Sequence, residues 1–97
     1  MNKFEFYCSI MGKVCELTGL SLEKVCISNK EECVDARYLA IAVLSEKLSD
    51  RQIADLGGWS VQLISKVKNN FHDRCKTRWG LKEMYKELRS FHELSTK

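Results

Sequence analysis

The chain has 97 residues, 44% of them hydrophobic and 30% charged, with no proline; a chain this short has room for only one hydrophobic core. No apolar run approaches the roughly 18 residues that a membrane span requires. The N-terminal segment does not form a signal-peptide core, because Glu5, Gly12 and Lys13 interrupt its apolar stretch. We therefore expect a single cytoplasmic domain over residues 1–97, without membrane contact.

The net charge of +3 is unevenly distributed along the chain. Residues 1–65 carry seven Lys or Arg and nine Asp or Glu, whereas residues 66–89 carry eight basic and three acidic residues, a local net charge of +5. A positive segment of this kind is typical of a surface that binds a polyanion. A solvated helix with many ion pairs has the same composition, so charge alone leaves both interpretations open.

The five cysteines indicate neither a metal site nor a disulfide framework. They include no CxxC pair, and His72 and His92 lie twenty residues apart, so zinc-binding spacing is absent and no cofactor is predicted. Cys8 and Cys15 share one helical face, where we expect them to be small buried residues in a reducing compartment. The odd count also disfavours a secreted disulfide framework.

The first half of the chain predicts three helices. Apolar residues at three- and four-residue intervals predict a first helix near residues 3–18, and Ser21 is a suitable N-cap for a short second helix. Ser28 and Glu31 have capping-box spacing, which predicts a long third helix ending near Lys47. Its apolar residues cover more than half of its circumference, so we expect it to be the central helix.

The second half predicts three more helices. Ser49 and Gln52 form a second capping box at the start of a short fourth helix, which Gly57 and Gly58 interrupt, and Ser60 is then suited to cap a fifth helix. Apolar periodicity predicts a sixth helix near residues 77–93, and no segment alternates with a period of two. The predicted fold is all-α, with about six helices around a central long helix and a helix-turn-helix at residues 50–73.

The stretch IADLGGWSVQLISKV resembles the common helix-turn-helix sequence pattern. Ala54 is small where two helices approach closely, Gly58 can adopt positive φ in the turn, and Ser60 can cap the second helix. The other matching positions are apolar and are expected to be buried: Ile53, Ile64 and Val67. Trp59 is expected to pack in the core, whereas Trp79 fits either a packing residue or an interface residue.

Residues 28–71 resemble the C-terminal DNA-binding domain of the bacterial replication initiator DnaA, within the Trp-repressor-like superfamily. The shared features are an alanine-rich long helix, a short helix started by serine, and the double glycine. Where the family has an Arg-Asp-His-Thr-Thr run that reads its site, this chain has residues 59–63, Trp-Ser-Val-Gln-Leu. In the family's basic loop only Lys30 remains as a phosphate-contact candidate. The resemblance implies the fold and the mode of DNA binding.

The predicted inward face of the fifth helix, with Ile64, Val67 and Phe71, leaves a set of polar residues facing outward. The candidates for base contacts are Ser60, Val61, Gln62, Ser65, Lys66 and Asn69. The candidates for DNA backbone contacts are Lys30, Arg51, Lys68, Arg74, Lys76 and Arg78. We expect the basic residues from Lys66 to Arg78 to cluster at one end of this helix. Each polar residue alone is equally typical of an ordinary solvent-facing helix.

These patterns predict sequence-specific binding of double-stranded DNA by a small bacterial transcription or mobile-element regulator. The alternative is a protein-interaction module that presents Val61 and Leu63 on the same scaffold. No catalytic triad, HExxH motif or glycine-rich phosphate loop is present, so we do not expect an enzyme. No leucine seam marks a dimer interface; the oligomeric state is left open, a monomer included.

Overall fold

The computed structural model describes residues 2–95, which form six α-helices and contain no β-strand, so the all-α prediction is confirmed. Residues 1, 96 and 97 of the predicted domain lie outside the described part of the chain. The helices are α1 Lys3–Thr18, α2 Leu22–Ile27, α3 Glu31–Leu44, α4 Asp50–Gly57, α5 Val61–Thr77 and α6 Trp79–Ser95.

Side-chain caps fix the starts of several helices where the sequence predicts them. Ser21 and Ser60 each accept a hydrogen bond from the backbone N–H three residues further on. The capping box of α4 is reciprocal: the Ser49 N–H donates to Gln52 Oε1 at 2.9 Å, and the Gln52 N–H donates to Ser49 Oγ at 3.2 Å. Both backbone donors at this helix start are therefore satisfied.

The bounds of α3 differ from the prediction at both ends. Lys30 is the N-cap and supplies no side-chain bond, while Ser28 Oγ accepts from the Lys30 N–H at 3.3 Å, so the capping box predicted from Ser28 and Glu31 does not form. The helix ends at Leu44 because Ser45 to Lys47 continue as a tight turn with i→i+3 bonds, such as Lys47 N–H to Leu44 O at 3.2 Å.

Helix α3 packs against α1, α2, α5 and α6, and ten of its 14 residues are buried. It is shorter than α1, α5 and α6, so it is not the longest helix of the fold. Its buried Arg37 donates through Nε to the Val25 carbonyl at 2.8 Å and through Nη2 to the Ser28 carbonyl at 2.7 Å. These two bonds satisfy two of the five N–H donors of the guanidinium and tie the C-terminal end of α2 to α3.

The structure corrects one expectation about the cysteines. All five cysteines are free thiols, and Cys8 is exposed, so the expectation of burial for Cys8 is wrong. Its position on α1 falls outside the stripe that contacts the core, which includes Tyr7 and Met11.

Within residues 2–95, no helix combines the length and the apolar character needed to cross a bilayer.

The turn between α4 and α5 depends on its two glycines. Gly58 is the C-cap of α4 with φ of 72° in the left-handed region, and its N–H donates to the Ala54 carbonyl. A Cβ atom at Gly57 would overlap the indole of Trp59, which lies directly against it. The first glycine therefore permits a close approach, and the second permits the reversal of the chain.

We expect Gly58→Val to lower the free energy of unfolding by about 1–3 kcal/mol, because a β-branched residue is strained at positive φ. Chemical denaturation measures this loss. Gly12→Val is the matched control, because Gly12 lies in α1 without positive φ and a Cβ there would meet nothing within 4 Å. Equal stability of the two variants would contradict the turn assignment.

Candidate functional site

Helices α4 and α5 are held on the core by one face each. Ile53 and Ala54 of α4 are buried, as are Ile64, Val67 and Phe71 of α5. These are the inward positions that helical spacing predicts, so the inner faces of both helices are predicted correctly. The opposite face of α5 consequently points to solvent.

Trp59 locks the start of α5 to the rest of the fold. Its indole Nε1 donates to the Cys26 carbonyl at 3.0 Å, and its ring packs against the hydrophobic core, as the sequence predicts. The bond joins the turn between α4 and α5 to the end of α2. The first turn of α5 is therefore fixed in direction by contacts outside the α4–α5 unit.

Asp50 fixes α5 relative to α4. Its Oδ1 accepts from Lys68 Nζ at 2.9 Å, and its Oδ2 accepts from Ser65 Oγ at 3.3 Å. The hydrogen bond from Lys68 holds the pKa of Asp50 below its ordinary value. Ser65 and Lys68, both predicted as DNA contacts, thus contact Asp50 of α4.

The far end of α5 is fixed by a buried carboxylate on α3. Asp35 accepts from Arg74 Nε at 2.6 Å and from Arg78 Nε at 2.8 Å, and Glu31 pairs with Arg78 Nη1 at 2.9 Å. The Arg74 guanidinium also lies over the Tyr38 ring, 4.7 Å from its centroid. The hydrogen bond to Asp35 raises the pKa of Arg78 above its ordinary value.

These contacts correct the predicted positive cluster. Arg74 and Arg78 turn toward Asp35 on α3, and Lys68 turns toward Asp50 on α4, so the basic residues from Lys66 to Arg78 do not form one surface. The reason is that charged residues of α5 alternate around the helix and those nearest its inner face find acidic partners on neighbouring helices.

Three of the predicted base-contact residues form a solvent-facing stripe on α5. Gln62, Lys66 and Asn69 are exposed and follow four- and three-residue spacing, opposite the buried face of the helix. Within residues 2–95 none of the three makes a side-chain hydrogen bond or ion pair. No acidic residue precedes Asp73 on α5.

The two other predicted base-contact residues lie at the beginning of α5. Ser60 Oγ accepts from the Leu63 N–H at 3.1 Å, so its main role is to cap the helix. Val61 follows with 42% of its surface exposed, which leaves an apolar side chain beside the polar stripe.

Three of the predicted backbone-contact residues do not pair with Asp35 or Asp50, and they lie at different places around α4 and α5. Arg51 is exposed on the first turn of α4, and Lys76 is exposed near the end of α5, where it lies 3.7 Å from Asp73. Lys30 is exposed on the segment that joins α2 to α3. That segment runs between Cys26 and Glu31, and each of these residues is bonded to the turn or to the end of α5.

In residues 2–95, no group of three or more His, Cys, Asp or Glu side chains is placed to hold a metal ion.

Comparison of the chain with protein-family models, with curated proteins and with solved structures gives no match. The likeness to the DnaA C-terminal domain therefore stays a prediction.

Proposed function

We propose that the protein binds double-stranded DNA with α4 and α5 acting as a helix-turn-helix and α5 lying in the major groove. One observation carries the proposal: a helix fixed at both ends presents the unpartnered polar stripe of Gln62, Lys66 and Asn69 to solvent. The major groove admits one α-helix and displays a distinct hydrogen-bond pattern for each base pair. A helix of fixed direction is what such readout requires.

The chemistry of the stripe matches base edges. Gln62 and Asn69 can each donate to and accept from adenine, and Lys66 can donate to guanine or to a phosphate. Val61, half-exposed at the start of α5, can contact a thymine methyl group. These four residues are the proposed readers of sequence.

Phosphate contacts are assigned to the predicted backbone-contact residues that do not pair with Asp35 or Asp50. They are Arg51, Lys76 and Lys30, which position the protein on the duplex without reading the sequence. Lys76 would exchange its exposed contact with Asp73 for a phosphate, at little cost because exposed ion pairs contribute little. A small transcription or mobile-element regulator is the cellular role that fits this activity, and its bacterial origin rests on the resemblance to DnaA alone.

The dependence of binding on salt tests the proposal. With three to four available cations, the logarithm of the affinity should fall against the logarithm of salt concentration with a slope of about −3 to −4. Lys66→Ala should weaken binding and, if Lys66 contacts phosphate, bring the slope about one unit closer to zero. Fluorescence anisotropy on a labelled duplex measures both quantities. Lys3→Ala, the same change at an exposed position on α1, is the matched control and should leave the slope unchanged.

A second function, a protein-interaction module on the same scaffold, is favoured by the exposure of Val61 and by the half-buried Leu63 beside it. It predicts no duplex binding that depends on salt. Instead, a protein partner should bind through the start of α5, and Val61→Ala should weaken that complex. A salt slope near zero in the duplex titration would therefore replace the DNA proposal with this one.

A further inference from the structure

A second feature of α5 lies on another side of the helix, toward α6. The C-terminal half of α5 and the length of α6 border an open groove of about 730 Å³, here named the α5–α6 groove. Phe71 and Cys75 line it from α5, and Trp79 and Tyr85 line it from α6. Burial raises the pKa of the Cys75 thiol, so this side chain stays neutral and the floor of the groove stays uncharged at neutral pH.

Trp79 stands at one end of this groove with 77% of its surface exposed. It is the most exposed of the large hydrophobic residues in residues 2–95 and contributes little to the core. Exposed tryptophan beside an apolar depression is typical of interaction sites, because a single indole can bury a large apolar area in a complex.

The rim of the groove is basic. Its charged lining residues are Lys76, Lys82, Lys86, Arg89 and Glu93. Lys76 and Lys86 make only exposed contacts with acids three residues away along the same helix, at 3.7 and 4.0 Å, and Arg89 pairs with Glu46 at 3.2 Å. Exposed pairs of this kind contribute little, so the lysines can exchange them for carboxylates of a ligand.

We propose that the α5–α6 groove docks an acidic amphipathic helix of a partner protein. Apolar side chains at i, i+3 or i+4, and i+7 would lie on Trp79 and Tyr85, and flanking Asp or Glu side chains would pair with Lys82 and Lys86. From Trp79 to Glu93 the groove follows α6 for about 20 Å, the length of a helix of about four turns. The basic rim and the apolar floor together match a ligand of that charge and pattern.

The same lining favours a protein over a single-stranded nucleic acid. Phe71 and Cys75 lie on the part of α5 that turns toward the core and α6, where aliphatic side chains can be buried. A single strand could stack its bases on Trp79 and on the exposed ring of His72, but its polar backbone would not cover the apolar floor formed by Phe71 and Cys75. None of the stripe residues Gln62, Lys66 and Asn69 lines the groove, and the proposed ligand contacts are Trp79, Tyr85, Lys82 and Lys86, so the inference does not depend on the DNA proposal.

A selection from a display library of random 16-residue peptides tests this inference on the full chain. Enriched peptides should be rich in Asp and Glu and should repeat apolar residues with helical spacing. Binding of a labelled enriched peptide should weaken at least tenfold in Trp79→Ala and in the double variant Lys82→Glu/Lys86→Glu. Phe4→Ala, which removes another exposed aromatic ring, and Lys3→Glu/Lys24→Glu are the matched controls and should bind like the parent.

Several results would overturn the proposal. They are a library that yields no enriched sequence, enriched peptides that are basic or uncharged, and acidic peptides that bind Trp79→Ala as tightly as the parent. Binding of an oligothymidine strand that is lost in Trp79→Ala, without peptide binding, would assign the groove to single-stranded nucleic acid instead. Circular dichroism establishes whether each variant is folded. If Trp79→Ala does not fold, the double variant Lys82→Glu/Lys86→Glu still tests the groove. Duplex titration of the same variants tests the DNA proposal separately.

Discussion

Replacing Ile64 with alanine is expected to lower the free energy of unfolding by about 2–5 kcal/mol. Ile64 is fully buried on the inner face of α5, where loss of its side chain removes apolar contacts and leaves a cavity between α5 and the core. Urea denaturation followed by circular dichroism measures the change.

Ile27→Ala is the matched control for this substitution. Ile27 ends α2 with 67% of its surface exposed, so the same truncation there should change stability by no more than about 0.5 kcal/mol. If both variants lost the same stability, α5 would not present Ile64 to the core. The outward position of Gln62, two residues earlier, would then be wrong as well.

Asp35→Ala is expected to lower the free energy of unfolding by about 2–4 kcal/mol. The carboxylate accepts charged hydrogen bonds from Arg74 and Arg78, and its removal leaves two partly buried guanidinium groups without their partner. The figure lies below the full cost of a buried unpaired charge because both arginines retain some exposure and can turn to solvent.

A control and a second readout separate this effect from a general loss of negative charge. Asp55→Ala removes an exposed carboxylate from α4 and should leave stability nearly unchanged. At a temperature where Asp35→Ala is still folded, Arg74 and Arg78 become available to phosphate, so its salt slope for duplex binding should become steeper. A slope and a stability equal to those of the parent would show that the two arginines do not depend on Asp35.

The helices and most of their starts were predictable because their causes are local. Ser49 and Gln52 satisfy each other's backbone donors within four residues, and Gly58 needs only its own positive φ to end α4. The start of α3 was not predictable in the same way. Ser28 was the predicted N-cap, but its Oγ accepts a hydrogen bond from the Lys30 N–H. Lys30 is the N-cap instead, so the helix starts beyond Ser28.

The sequence predicts which face of α5 is buried and which is exposed, but not the ion-pair partners of its basic residues. Helical spacing correctly separates buried Ile64 from exposed Gln62. It does not reveal that Arg74 meets a carboxylate 39 residues earlier in the chain, or that Lys68 meets one 18 residues earlier. One signal was available: apart from Asp35 and Arg37 the stretch 33–44 of α3 carries no charge, and a carboxylate buried there needs a cationic partner.

The α5–α6 groove could not be predicted from the sequence either. Its lining comes from two helices whose relative position depends on tertiary packing, in particular the edge-on contact of Phe71 with Tyr85 at 4.9 Å between ring centroids. Periodicity places Tyr85 on the inner face of α6 but gives no information about the width of the space beside it. The exposure of Trp79 follows from the same packing, which is why the sequence left its role open.

Titration of Gln62→Ala on two duplexes distinguishes base reading by α5 from binding that is independent of sequence. One duplex carries a sequence selected by the parent protein from randomised DNA, and the other carries a scrambled version of it. If Gln62 reads a base from the major groove, the variant should lose about 1–3 kcal/mol, or about 5- to 150-fold, on the selected duplex and keep its affinity for the scrambled one. A folded Gln62→Ala protein that binds both duplexes as the parent does would show that the outer face of α5 does not read sequence through this residue, contradicting the proposed arrangement.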